Sequence, residues 1–141
     1  MLKITESAAT LPAQDIARAR KFYEQRLGLI PEQVGQDGGV MYKTGSTGFL
    51  VFPSTGKPSG DHTQLAIDVE DVVATVNELK KSGVKFEDYD FPGLKTQDGI
   101  ADMGGSKGAW FKDSEGNLIA IGERIAAERT EANRAAATNG R

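Results

Sequence analysis

The chain has no cysteine, one histidine and one tryptophan among its 141 residues. Without cysteine there is no disulfide framework, no thiol nucleophile and no thiolate zinc site, and the redox compartment stays open. No apolar run approaches the ~18 residues of a membrane span, and the first residues lack the basic-then-apolar layout of a secretory leader. A cytoplasmic protein that engages no membrane is therefore expected. A basic excess is missing too: the net charge is -3, which leaves no electrostatic footprint for nucleic acid. The mild acidity concerns solubility more than any partner.

What is present suffices for one compact domain, or for two half-size modules sharing a core. The clearest local signal is residues 108–122, two apolar strands joined by Asp113-Ser114-Glu115-Gly116. Gly116 supplies the positive φ that such a turn requires. Asp113 then faces Asn117, Trp110 falls opposite Ala120, and both point to one face of the sheet.

An extended piece at residues 8–13 precedes Asp15, a good N-cap. Ile16, Ala19, Phe22, Tyr23 and Leu27 recur at helical spacing until Gly28, which predicts a helix over 15–27. Extended runs follow at 30–34, 39–44 and 49–53, separated by Gln36-Asp37-Gly38-Gly39 and Gly45-Ser46-Thr47-Gly48. The order is βαβββ. Residues 55–61, rich in Gly, Pro and Ser, read as a linker. Then the order repeats: a strand at 64–69, an Asp71-capped helix carrying Val72, Val73, Val76 and Leu79, a short strand at 84–86, and the hairpin at 108–122. Matching Gly48 with Gly116 aligns the two halves and pairs Tyr42 with Trp110. Residues 88–107 are too long for a mere connector and read as a lid or rim.

Such a duplication implies an α+β fold, because neither half can bury both its helix and its sheet alone. The segments Leu11-Pro12-Ala13-Gln14-Asp15 with Phe22-Tyr23 and Leu27-Gly28-Leu29, then Ala66-Ile67-Asp68-Val69-Glu70-Asp71, then Phe111-Lys112-Asp113-Ser114-Glu115-Gly116-Asn117 carry a resemblance. Together they resemble the glyoxalase / bleomycin resistance / extradiol dioxygenase superfamily, the vicinal oxygen chelate fold, over roughly residues 5–123. The resemblance implies two βαβββ modules forming an open, cup-shaped barrel: module one over 5–54, a linker at 55–61, module two over 62–123. Residues 124–141 read as a tail, a frayed helix or disordered.

In metal-dependent members the ligands stand seven residues before each capping Asp and four after each turn Gly. Those places hold Ala8, Gln64, Phe52 and Ala120. Two methyl groups, a phenyl ring and a neutral amide do not make a site for zinc, nickel or iron, so no metal and no other cofactor is expected. Rebuilding one from His62, Gln64 and the rim residues Glu6 and Glu123 needs several coincidences, and His62 reads more simply as a solvated residue ending the linker. Gly56-Lys57 lacks the spacing of a phosphate loop, and Ser59, Ser106 and Ser114 have no definable His-acid partner.

By strand parity the cup is lined by Thr10, Tyr42, Leu50, Phe52, Gln64, Ala66, Trp110, Leu118 and Ala120, with His62 at its edge. An apolar, aromatic hollow with few polar groups is the usual form of a small-molecule site, although aromatic residues at strand spacing also simply fill barrels. The expectation is a binding protein with no catalytic residues, in which Trp110, Tyr42 and Phe52 stack on a small, flat organic ligand. Gln64 and Thr10 give it direction. The alternative is a lyase, isomerase or dioxygenase of the same fold, using a non-standard metal site or His62 and Glu123 as acid and base. A homodimer is what the resemblance implies for the assembly.

Overall fold

A computed structural model describes residues 1–123; the expected tail at 124–141 lies outside the described residues. The chain runs β1 (Ala9–Ala13), α1 (Ile16–Lys21) continuing into a π-helical turn (Phe22–Arg26), β2 (Pro31–Val34), β3 (Val40–Thr44) and β4 (Thr47–Pro53). It goes on through β5 (Thr63–Asp68), α2 (Val72–Lys81), β6 (Asp90–Phe91), β7 (Leu94–Gln97), β8 (Ile100–Asp102), β9 (Lys107–Lys112) and β10 (Leu118–Gly122). This is an α+β fold of two sheets. One has the order β1-β4-β3-β2 and the other β5-β10-β9-β8-β7-β6, and in each the first strand lies parallel to the last strand of its own module.

Both helices start where their caps place them. Asp15 accepts from the Arg18 N–H at 3.0 Å, and Asp71 accepts from the Ala74 N–H at 3.0 Å. Each sheet buries the face turned to its helix. Leu11, Tyr42, Phe49 and Val51 on one sheet, and Phe111, Ile119 and Ile121 on the other, join Ala19, Tyr23, Val72 and Val76 in one continuous core. The alternate residues of the same strands form the cup face.

The stretch 113–117 is more than a turn. The Asp113 N–H donates to the Asn117 carbonyl at 3.0 Å, and Gly116 adopts φ +95° as the turn requires. Its polar side chains are buried and reach into the first module. The Tyr23 hydroxyl donates to Asp113 Oδ2 at 2.5 Å, and Asn117 Nδ2 donates to the Pro12 carbonyl at 3.0 Å. Glu115 accepts from the Asp15 N–H at 2.9 Å and is clasped by Arg18 through Nε at 2.7 Å and Nη2 at 3.1 Å. These bonds link residues about a hundred positions apart and lock helix α1 to the β9–β10 hairpin.

Burial alone would raise the pKa of Glu115. The Arg18 and Asp15 hydrogen bonds, joined by the Ser114 hydroxyl, outweigh it and hold the carboxyl below its ordinary value. A folded-state pKa below the unfolded one stabilises the fold at pH above the unfolded value, and that contribution disappears as pH falls through the folded value. The unfolding free energy is thus expected to drop on acidification below about pH 4.5. Glu115→Gln is expected to cost about 1–2 kcal/mol at pH 7 and to flatten the acid limb. Urea unfolding at a series of pH values checks both.

Three features of the sequence reading are corrected here. Residues 84–86 form no strand; they make one isolated bridge, Phe86 to Phe111. Residues 88–107, read as a lid or rim, fold instead as β6, β7 and β8 and widen the second sheet. A tight turn at Asp98-Gly99, with φ +54° and +83°, joins β7 to β8, and a Cβ on Gly99 would lie only 2.7 Å from the Phe86 Cβ. The third correction is register. Thr44 pairs with Thr47, so Gly45-Ser46 alone makes the turn and Gly48 lies within β4; Gly48 is not the counterpart of Gly116. Tyr42 then pairs with Phe49, and not with Phe52 as its alignment with Trp110, opposite Ala120, implies.

Candidate functional site

A loop shorter by one residue inverts the parity of β3 against β4 and moves its side chains to the other side of the sheet. Tyr42, expected in the cup, is fully buried in the core instead, its ring 5.4 Å from Tyr23 and 5.5 Å from Phe49. Its hydroxyl donates to Glu24 at 3.1 Å. Burial, followed by the Glu24 carboxylate, pushes its pKa upward, so it stays a neutral core tyrosine. Its neighbour Met41, opposite Leu50, takes the cup position.

The other candidates stand at alternate positions along the strands, with Leu118 buried and His62 just before β5. Thr10 stands level with Leu50 across the parallel β1–β4 pair. Leu50 and Phe52 are half-buried while Phe49 and Val51 between them are fully buried. On the second sheet one row runs Ala66, Ala120, Trp110 across β5, β10 and β9. Trp110 and Ala120 face each other as the turn geometry predicted. Two methyl groups beside a half-exposed indole make a low floor flanked by an aromatic wall. That wall is taller than the sequence indicated: Tyr89 meets Trp110 edge to face at 5.6 Å, and Phe91 meets Tyr89 at 5.9 Å. Met103 fills the space above Gly108, a position where any side chain would collide with its Cε. Tyr89 and Met103 were missed because they sit in the stretch read as a loop; the Asp-Gly dipeptide at 98–99 is the hairpin signal that would have placed them. On the first sheet a depression of about 520 Å³ is lined by Glu6, Ser7, Ala8, Glu32, Gln33 and Met41.

The acid-base pair of the alternative reading is not assembled. His62 immediately precedes β5, level with the start of β10, and its Nδ1 is 3.3 Å from the Ser59 hydroxyl. Glu123 follows the last residue of β10. Because β5 and β10 are parallel, the two groups stand at opposite ends of the strand pair, roughly 20 Å apart at ~3.3 Å per residue. Glu123 is moreover engaged in structure, accepting from the Val72 N–H at 2.8 Å and the Lys107 N–H at 3.2 Å. It caps α2 and ties down β9.

The donor set does not fit the metal of the metal-dependent relatives. Ala8 and Ala120 offer no ligand atom; neither does Phe52, nor Leu50, which the observed register makes the counterpart of Ala120; Gln64 offers a neutral amide, and no three His, Cys, Asp or Glu side chains converge among the described residues. The hairpin carboxylates are also committed: Asp113 accepts four hydrogen bonds within the inter-module clamp, and Glu115 is paired with Arg18.

Comparison with known proteins agrees with this architecture. Residues 7–121 match the model of the Glyoxalase/Bleomycin resistance protein/Dioxygenase superfamily, and the chain belongs to that family. Among solved structures it is similar to the fosfomycin resistance protein FosX from Listeria monocytogenes, at 13% identity and a TM-score of 0.67 over 92% of this chain and 98% of that one. It is similar also to a bleomycin-binding protein solved with bleomycin, at 18% identity and 0.62 over 85% and 98%. A glyoxalase family protein from Enterococcus faecalis gives 21% and 0.62 over 86% and 100%. At such identities the likeness is one of fold. A search of curated proteins returns no match. Among the described residues no helix is long and apolar enough to cross a membrane.

Proposed function

We propose that this protein binds and sequesters a small, flat organic molecule on its cup face, without a metal and without making or breaking a bond. The observation that carries this reading is the row Ala66-Ala120-Trp110. Ala8, Leu50 and Ala120 carry no ligand atom and Gln64 only a neutral amide, and an aromatic wall of Trp110, Tyr89 and Phe91 rises beside the alanine floor. Affinity comes from aromatic area removed from water and from ring stacking. One relative in this fold is a bleomycin-binding protein, which supports binding as a use to which the family is put. The separation of His62 from Glu123 leaves the enzymatic alternative without its acid-base pair.

We place the protein in the cytoplasm as a homodimer. The exposed Leu2 and Ile4, which precede β1 and touch no core, suit a second copy.

Trp110 is the only tryptophan of the chain, so its fluorescence reports on the cup alone. A panel of aromatic antibiotics is expected to include compounds that quench it saturably, at one equivalent per chain. Mass spectrometry of unchelated protein after titration with zinc, nickel, manganese and iron(II) is expected to find none retained. One retained equivalent of metal, or a flat fluorescence response across the panel, overturns the reading.

A further inference from the structure

We infer that the ligand of the cup carries a hydrogen-bond donor, a hydroxyl or an N–H, at the edge of its aromatic ring, and that Gln64 Oε1 is the acceptor that selects it. The inference rests on the binding function proposed above and specifies the chemistry of its ligand.

Two independent features meet at Gln64. The first is a bulge. Thr63 pairs with Leu118 and Leu65 with Ile119, so Gln64 is an extra residue in the parallel β5–β10 ladder with no partner of its own. Bulges are uncommon in parallel pairs, and they recur beside functional sites because they re-aim one side chain. Leu65 and Ile67 keep their packing against the core, and Gln64 stands between Thr63 and Leu65, two residues before Ala66 on the same strand. The second feature is polar. Gln64 Oε1 is shielded from water and finds no donor among the described residues. A buried amide oxygen left unpaired is costly, and such groups are rare in native proteins unless something outside the chain completes them.

The other such atom among the described residues, Asn117 Oδ1, belongs to the clamp between modules, where Asn117 is fully buried among Asp113, Pro12 and the hairpin turn. Gln64 differs in position. It lies on β5 two residues before Ala66, at the end of the floor that Ala66 and Ala120 form, with Trp110 two strands away on β9. With strands ~4.8 Å apart and residues ~3.3 Å apart along a strand, a bicyclic ring stacked against Trp110 across the two alanines reaches Gln64 with its far edge. A donor there meets the orphan oxygen. A ligand with only an acceptor at that edge leaves it unpaired, and the difference is about tenfold in affinity, the worth of one hydrogen bond.

The test uses two probes with the same ring and the same 2-oxygen, 2-naphthol, which donates, and 2-methoxynaphthalene, whose O-methyl group leaves only an acceptor. Their binding to the intact protein, to Gln64→Leu and to Gln64→Glu is followed by chemical-shift titration. Wild type is expected to bind 2-naphthol about tenfold more tightly. Gln64→Leu is expected to abolish that preference, and Gln64→Glu, which keeps an acceptor in nearly the same volume, to retain or enlarge it. Equal affinity of the two probes for wild type, tighter binding of the methoxy compound, or an unchanged preference in Gln64→Leu overturns the inference while leaving cup binding intact. If neither naphthalene binds, the binding function itself fails. Should Gln64→Leu not fold, the wild-type ratio and the Gln64→Glu variant still decide.

Discussion

Replacing Asp113 with alanine is expected to lower the unfolding free energy by about 3–5 kcal/mol, the largest effect of any single polar substitution in this chain. The carboxylate is 6% exposed and accepts four hydrogen bonds. Oδ1 takes the Glu115 and Asn117 N–H groups, each at 2.9 Å, while Oδ2 takes the Tyr23 hydroxyl at 2.5 Å and Asn117 Nδ2 at 2.7 Å. Alanine removes every acceptor and keeps every donor buried, so the cost is the desolvation of stranded groups and not merely the loss of favourable bonds. For a domain of this size the midpoint temperature is expected to fall roughly 10–20 °C. Tyr23→Phe removes one donor and leaves the other three satisfied, so it should cost only about 1–2 kcal/mol. In the double variant the two costs should fail to add by about 1 kcal/mol or more, because the pair meets directly. Urea titrations with unchanged slope measure all three. A cost under about 1 kcal/mol for Asp113→Ala would show that the hairpin does not clamp the modules together.

The same residues show what the sequence could and could not disclose. Caps are local, and so Asp15 and Asp71 marked both helix starts correctly. The hairpin at 108–122 was equally legible, because its five-residue turn fixes Trp110 opposite Ala120 whatever surrounds it. The clamp was not legible: nothing near Asp113 in sequence says that Tyr23, ninety residues earlier, lies against it. The cup was legible except where a turn had to be counted. Gly45-Ser46-Thr47-Gly48 admits a two-residue or a three-residue loop, and aligning its last glycine with Gly116, which closes the three-residue loop Ser114-Glu115-Gly116, chose the longer one. Strand alternation then carried Tyr42 to the wrong face, since an error of one residue inverts parity. A phenol at an apolar strand position is equally at home in a core, where Glu24 satisfies its hydroxyl. Parity assigns Gln64 to the cup face, but its bulge and its unpaired oxygen depend on pairing with β10, which only the folded chain provides.

The distinction between the two aromatic residues has a direct consequence for binding. Trp110→Ala is expected to weaken the complex with 2-naphthol about 100-fold, close to 2.7 kcal/mol, because it removes the largest apolar surface bordering the floor. The same variant should cost only about 1–2 kcal/mol of stability, since the indole is partly exposed and its ring meets Tyr89 edge to face at the rim of the core. Tyr42→Phe should do the reverse. It strands no donor, deletes the 3.1 Å bond to Glu24, and costs about 1 kcal/mol of stability, while probe affinity stays within about twofold of wild type because the residue faces α1 and not the cup. Met41→Ala, on the neighbouring position that does face the cup, supplies the complementary arm and should weaken the probe measurably if the ligand extends over the first sheet. Affinity loss in Tyr42→Phe comparable to that in Trp110→Ala would mean that the first sheet is registered as the longer turn would have it. The split between stability and affinity, read from urea midpoints and chemical-shift titrations of the same samples, separates a residue that builds the barrel from one that holds its ligand.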